Sequence, residues 1–160
     1  MKEHLLYLAL GTNLGEKRRN IEEAYGEIEK RIGAIVSKSA FYITEPEGFK
    51  SGNQFVNTVC IVRTTLPVAE LFSISRKIEE KLGRTLKSQN MQYVDRIIDI
   101  DILMYDDCII HTPQLEIPHP RLHQRSFVLS PLKEVAPNVV HPVLGKKISQ
   151  LADELDNSME

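Results

Sequence analysis

The chain has 160 residues, enough for one domain with a substantial hydrophobic core. Its composition is 42% hydrophobic and 26% charged, ordinary for a globular protein, and 20 basic against 22 acidic residues leave a net charge of −2. That balance excludes a nucleic-acid binder working by bulk charge, and no apolar run is long enough to span a bilayer. The start, Met1-Lys2-Glu3-His4, is read as leading into a strand rather than into a signal peptide. Cys60 and Cys108 lie far apart in apolar surroundings, so they are expected as buried thiols of a cytoplasmic protein, not as a disulfide or a metal pair.

Leu5 to Leu10 is a short apolar run that predicts a buried strand. Gly11-Thr12-Asn13-Leu14-Gly15 follows. It has glycines for a tight turn and Thr12 or Asn13 to cap a helix, but not the lysine of a phosphate-cradling loop. Ile21, Ala24, Tyr25 and Ile28 recur at helical spacing and predict a helix from about Glu16 to Ile32, ended by Gly33. Ile35 to Ile43 alternates like a strand, and Thr44 to Asn53 is a Gly- and Pro-bearing polar loop. Gln54 to Thr64 is rich in β-forming residues. Thr65 as cap and Pro67 in the first turn start a second helix that runs to about Leu82 and stops at Gly83. Arg84 to Val94 is a polar loop, and Asp95 to Tyr105 is a fourth strand. Beyond Cys108 the prolines at 113, 118, 120, 131, 137 and 142 predict a small hairpin and short helices. Strand, helix, two strands, helix, strand is the split βαβ order of a ferredoxin-like α+β domain. The expected architecture is an antiparallel sheet with two helices on one face, plus a C-terminal extension of short elements, all in a single domain over residues 1–160.

The fourth strand carries the chemical signal. Arg96 to Met104 reads R-I-I-D-I-D-I-L-M, which puts Asp99 and Asp101 into an otherwise apolar run. Residues two apart in a strand share a side, so both carboxylates face one way, roughly 7 Å apart at their Cα atoms. An uncompensated buried charge is very costly, and a pair of divalent cations would neutralise both. The rival reading puts the two aspartates on the exposed face of an edge strand with Ile98, Ile100 and Ile102 inside. Apolar residues on both parities, and Arg96 just before the pair, favour the metal reading. Arg84, Arg96, Arg121 and Arg125 are the cations nearest the strand, and guanidinium donors suit polyphosphate oxygens. His119 and His123 are four residues apart, but Pro120 between them and the lack of a third ligand argue against zinc. Phe55 and Asn57 would suit a flat hydrogen-bonding heterocycle, with Phe55 as plain core the alternative.

Several motifs together resemble one family, in order and over nearly the whole chain. They are Gly-Thr-Asn-Leu-Gly at 11–15, Phe-Val-Asn at 55–57, Gly-Arg at 83–84, Asp-Arg-Ile-Ile-Asp-Ile-Asp-Ile-Leu at 95–103 and the Ile-Pro-His-Pro-Arg-Leu-His-Gln-Arg-Ser-Phe-Val-Leu-Ser-Pro-Leu segment at 117–132. The family is the 6-hydroxymethyl-7,8-dihydropterin pyrophosphokinases of folate biosynthesis. The resemblance implies a ferredoxin-like fold and transfer of the β,γ-diphosphate of ATP to the pterin hydroxymethyl oxygen, giving AMP. It implies two Mg²⁺ ions on Asp99 and Asp101, with Arg84, Arg96, Asp99 and Asp101 as catalytic residues. It assigns Glu79, Arg84, Arg96, Ile102, His119 and Arg125 to ATP, and Thr44, Phe55, Asn57, Tyr93, Asp99 and Phe127 to the pterin. The chain departs from the family pattern at Tyr93-Val94-Asp95-Arg96, where Trp-Gly-Pro-Arg is common. It departs again at Pro120, where a tyrosine is common, and at the acidic Glu45 and Glu47. The expected partners are small molecules only, with no nucleic acid or membrane, and the expected state is a cytoplasmic monomer. The rivals are another two-metal enzyme, such as a phosphohydrolase, and a ferredoxin-like ligand-binding module without catalysis.

Overall fold

The computed structural model describes residues 2–44, 54–83 and 97–158. Five strands and two helices appear first: β1 (His4–Thr12), α1 (Lys17–Arg31), β2 (Ala34–Lys38), β3 (Tyr42–Thr44), β4 (Phe55–Thr64), α2 (Val68–Leu82) and β5 (Asp99–Tyr105). A two-stranded hairpin of β6 (Ile110–His111) and β7 (Glu116–Ile117) follows, then a 3₁₀ turn at Leu122–Gln124, α3 (Ser126–Val135) and α4 (Ile148–Ser158). The main sheet has the order β2-β4-β1-β5, with β3 also paired to β4, and every pairing is antiparallel. This is the expected ferredoxin-like arrangement. No described helix is long and apolar enough to cross a membrane.

Period-2 alternation in β1 sorts its side chains between two cores. Leu6, Leu8 and Leu10 pack with Ile21, Ala24 and Ile28 of α1 and Leu71 and Ile78 of α2. Tyr7 and Ala9 face the other way, toward Val128, Leu129 and Leu132 of α3 and Leu151 and Ala152 of α4. The two predicted helices, α1 and α2, share one face as expected, and the C-terminal extension supplies a second helical layer on the other. Pro131, read from sequence as punctuation, lies buried inside α3.

Three local expectations also change. The strand predicted over 35–43 is split, because Ser39 Oγ accepts the Val59 N–H of β4 at 3.0 Å where a ladder carbonyl would otherwise stand. Neither Thr12 nor Asn13 caps α1; Asn20 inside the helix pins the turn, donating to Thr12 Oγ1 at 3.2 Å and to the Leu14 carbonyl at 2.8 Å. Pro67, not Thr65, occupies the cap position of α2, and the neighbouring Thr64 Oγ1 accepts the Leu66 N–H at 3.1 Å.

Gly33 does more than end a helix. A Cβ there would meet the Arg63 carbonyl of β4 well inside van der Waals contact, so the close approach of the α1–β2 turn to the sheet needs a bare backbone. Gly26, by contrast, sits in the middle of α1 with open space where its Cβ would be. The same substitution should therefore act in opposite directions. Gly33→Ala is expected to destabilise by about 1–3 kcal/mol or more through backbone displacement. Gly26→Ala should stabilise by roughly 0.5–1 kcal/mol through helix propensity. Thermal melts of the two variants against the unaltered protein check the sign of each.

Candidate active site

β5 is an edge strand, with β1 its neighbour in the main sheet. Ile98, Ile100 and Ile102 are buried toward the helical core, while Asp99 and Asp101 are half-buried on the opposite face. The edge-strand reading is thus right about placement, but the face that bears the carboxylates is not open surface. Asp99 pairs in register with Gly11 and Asp101 with Ala9, and all four residues line a cavity with Thr44, Phe55, Asn57, Arg125 and Phe127.

Each element contributes a distinct part of that cavity. β1 supplies a floor of small residues, Ala9 and Gly11. β4 supplies Phe55 and Asn57, and Asn57 Nδ2 donates to Thr44 Oγ1 of β3 at 3.0 Å. This bond fixes the amide, and its Oδ1 lies close over Gly11: a Cβ on Gly11 would stand 2.9 Å from it. α3 opens with Phe127, whose ring centroid is 5.6 Å from the Arg125 guanidinium carbon, within cation–π range.

A second cavity lies against the other side of Asp101, lined by Phe72, Arg76, Ile102, Thr112, Glu116, His119 and Pro120 among others. The His119 N–H donates to the Leu103 carbonyl at 2.9 Å, and its Nδ1 accepts the Arg121 N–H at 3.1 Å. The ring proton therefore belongs on Nε2, leaving a donor for a ligand. Burial holds this imidazole below its ordinary value, against the pull of Asp101 and with the help of the Arg125 and Arg121 charges.

Behind the aspartates, α2 closes the free edge of β5. Glu79 Oε2 accepts the Ile100 N–H at 2.6 Å, and the Arg76 guanidinium donates to the Ile100 carbonyl at 2.5 Å while pairing with Glu79 at 3.1 Å. Edge strands present unpaired N–H and C=O groups, and this clamp satisfies both at the residue between Asp99 and Asp101. Burial pushes the Glu79 carboxyl up to about 7, against the Ile100 hydrogen bond and Arg76 and with added push from Asp99 and Asp101.

The structure thus gathers Thr44, Phe55, Asn57, Asp99, Asp101, Arg125 and Phe127 around one cavity, and Asp101, Ile102 and His119 around the other. Glu79 is placed on the strand edge rather than in either lining. Arg84, Tyr93 and Arg96 lie outside the described residues, as do Glu45 and Glu47. Arg121 is exposed, and His123 meets the His141 ring edge-on at 6.2 Å between centroids. Among the described residues no group of three or more His, Cys, Asp or Glu is placed to hold a metal. Cys60 is buried, its thiol pushed up to about 12 mainly by burial, and Cys108 is half-buried; both are free. Sequence reading missed Ala9, Gly11 and Arg76. A small residue on a strand and a lone arginine carry no signal until the facing element is known.

The antiparallel α+β sheet thus carries two cavities that meet at Asp101, one of them also lined by Asp99, a frame suited to an enzyme. The family described as 7,8-dihydro-6-hydroxymethylpterin-pyrophosphokinase matches residues 7–137, and the chain belongs to it. Its activity is accordingly pyrophosphoryl transfer from ATP to hydroxymethyldihydropterin, in folate biosynthesis. The chain is 42% identical over 139 residues to the 2-amino-4-hydroxy-6-hydroxymethyldihydropteridine pyrophosphokinase of Porphyromonas gingivalis, covering 86% of this chain and 94% of that one. It is 38% identical over 154 residues to a folic acid synthesis protein of Dictyostelium discoideum, covering 96% of this chain but 23% of that protein. The fold matches Plasmodium falciparum HPPK-DHPS with a TM-score of 0.78 at 20% identity, over 99% of this chain and 45% of that one.

Proposed function

We propose that the two cavities are the two substrate subsites, with Asp101 as their common wall. This shared wall carries the reading. The dihydropterin lies between Phe55 and Phe127, its edge read by Asn57 and Thr44. ATP occupies the cavity of Ile102 and His119, so its reactive phosphates approach the aspartate pair from the side opposite the pterin. Aromatic walls with a few fixed polar groups are what a flat heterocycle requires.

The donor set at Asp99 and Asp101 fits two Mg²⁺ ions. Mg²⁺ prefers one or two carboxylates together with phosphate oxygens and water over an all-protein cage, and two half-buried carboxylates at the junction offer that. When bound, the ions supply neutralisation of the phosphate charge. The chain's own residues do the rest. His119 Nε2–H donates to a phosphate oxygen. Arg125 lies against Phe127 and brings positive charge to the junction. Arg84 and Arg96 complete the phosphate contacts, and Tyr93 adds to the pterin side. Phe55 and Phe127 align the hydroxymethyl oxygen for in-line attack, so that catalysis rests on orientation and charge stabilisation. The protein acts as a cytoplasmic monomer, one domain over residues 1–160, with small molecules as its partners.

Incubation with Mg²⁺, ATP and 6-hydroxymethyl-7,8-dihydropterin is expected to give AMP and the pterin diphosphate one for one. ADP or phosphate as the nucleotide-derived product would support a hydrolase instead, and no turnover would support a binding module.

A further inference from the structure

One helix both lines the aromatic cavity and touches the strand whose end lines it too. Phe127, in the first turn of α3, lines it. Glu134 lies seven residues on, two turns along the same helix face. Its carboxylate accepts the Ala40 N–H at 3.0 and 3.3 Å and the Tyr42 hydroxyl at 2.7 Å. Both donors sit at the root of β3, where the strand restarts after the break at Ser39. β3 is three residues long and pairs with β4, Tyr42 opposite Asn57 and Thr44 opposite Phe55. Its last residue, Thr44, is the one that holds the Asn57 amide.

So short a strand, paired to β4, has little of its own to fix its distance from α3. Hydrogen bonds to an ionised carboxylate are among the stronger ones, and here they join the root of β3 to the helix that carries the aromatic wall. Its hydrogen bond to the Glu134 carboxylate also pushes the Tyr42 hydroxyl up to about 12, which keeps it protonated and donating.

We propose that Glu134 is a positioning residue for the dihydropterin slot: tying β3 to α3, it sets the gap between the Phe127 wall and the Thr44–Asn57 edge. The proposal rests on the slot assignment given above, and it concerns a residue that touches neither substrate.

Steady-state kinetics with both substrates on the full chain test it. Glu134→Ala is expected to raise the pterin KM about threefold to tenfold while kcat and the ATP KM stay within about twofold. Glu134→Gln, which keeps an acceptor oxygen, should recover most of the loss. Tyr42→Phe should give a smaller rise, and in the Glu134→Ala background it should add nothing, because the two act through one contact. An unchanged pterin KM in Glu134→Ala overturns the proposal. So does an equal loss toward both substrates that follows a lowered melting temperature, since that is the mark of a structural role. Phe127→Ala separates the two levels of inference. If it leaves the pterin KM unchanged, the slot assignment fails and the positioning role with it; if it raises the KM while Glu134→Ala does not, the positioning role alone fails.

Discussion

Asp99→Ala and Asp101→Ala are each expected to lower kcat on the order of 10²- to 10⁴-fold, the equivalent of several kcal/mol of lost charge stabilisation. The same changes should leave the fold intact. Both carboxylates are half-exposed to the cavities, and each of them pushes the nearby Glu79 carboxyl upward. Removing one anion relieves that repulsion and leaves the Glu79–Ile100–Arg76 clamp in place, because the clamp uses the Ile100 backbone. The melting temperature should change little while turnover collapses. Two further measurements tie the loss to metal. Chelation of Mg²⁺ should abolish AMP formation in the unaltered protein, and titration calorimetry with Mg²⁺ and a non-hydrolysable ATP analogue should show weaker binding in either variant. Near-normal kcat in both variants would refute the metal assignment.

The aspartate strand was legible because it breaks a local rule. Two anions in a run of Ile, Leu and Met need a reason that can be sought without knowing the fold. The split βαβ order was legible for the opposite reason: period-2 and period-3.6 patterns agree with the tertiary structure over β1, α1, β4 and α2. What stayed hidden depended on distant partners. The break in the strand predicted over 35–43 comes from Ser39 meeting Val59, and Glu134 acquires meaning only when Ala40 and Tyr42 are brought to it. Gly33 looked like a helix stop, yet the reason it must be glycine is the backbone of Arg63. The second helical layer was obscured because Pro131, a local breaker in sequence terms, is buried inside α3. The site followed the same division: the charged and aromatic side chains announced themselves, and the floor on which they stand did not.

That floor gives the second large effect. Gly11 pairs in register with Asn57 on one side and Asp99 on the other, so a side chain there would project into the cavity between them. The first atom a Cβ would meet is Asn57 Oδ1, at 2.9 Å. Unlike the backbone carbonyl facing Gly33, this obstacle is the end of a side chain and can turn away. Gly11 is also not among the residues with positive φ, so alanine is compatible with its backbone. Gly11→Ala should therefore cost about 1 kcal/mol of stability, the side chain having swung aside with the loss of one hydrogen bond but no shift of backbone. The swing breaks the Asn57–Thr44 hydrogen bond and misaligns the amide proposed above to read the pterin edge. One or two lost hydrogen bonds to the heterocycle correspond to roughly a 10- to 100-fold rise in pterin KM. Gly11→Val would go further, filling the floor beside Asp99. Gly11 is absent from the lining of the Ile102–His119 cavity, so the ATP KM should change little in either variant. A Gly11→Ala protein with an unaltered pterin KM would mean that the orientation of Asn57 is not what the slot reads. Paired with Gly33→Ala, it sets two glycines of one sheet system in contrast, one protecting the fold and the other the substrate.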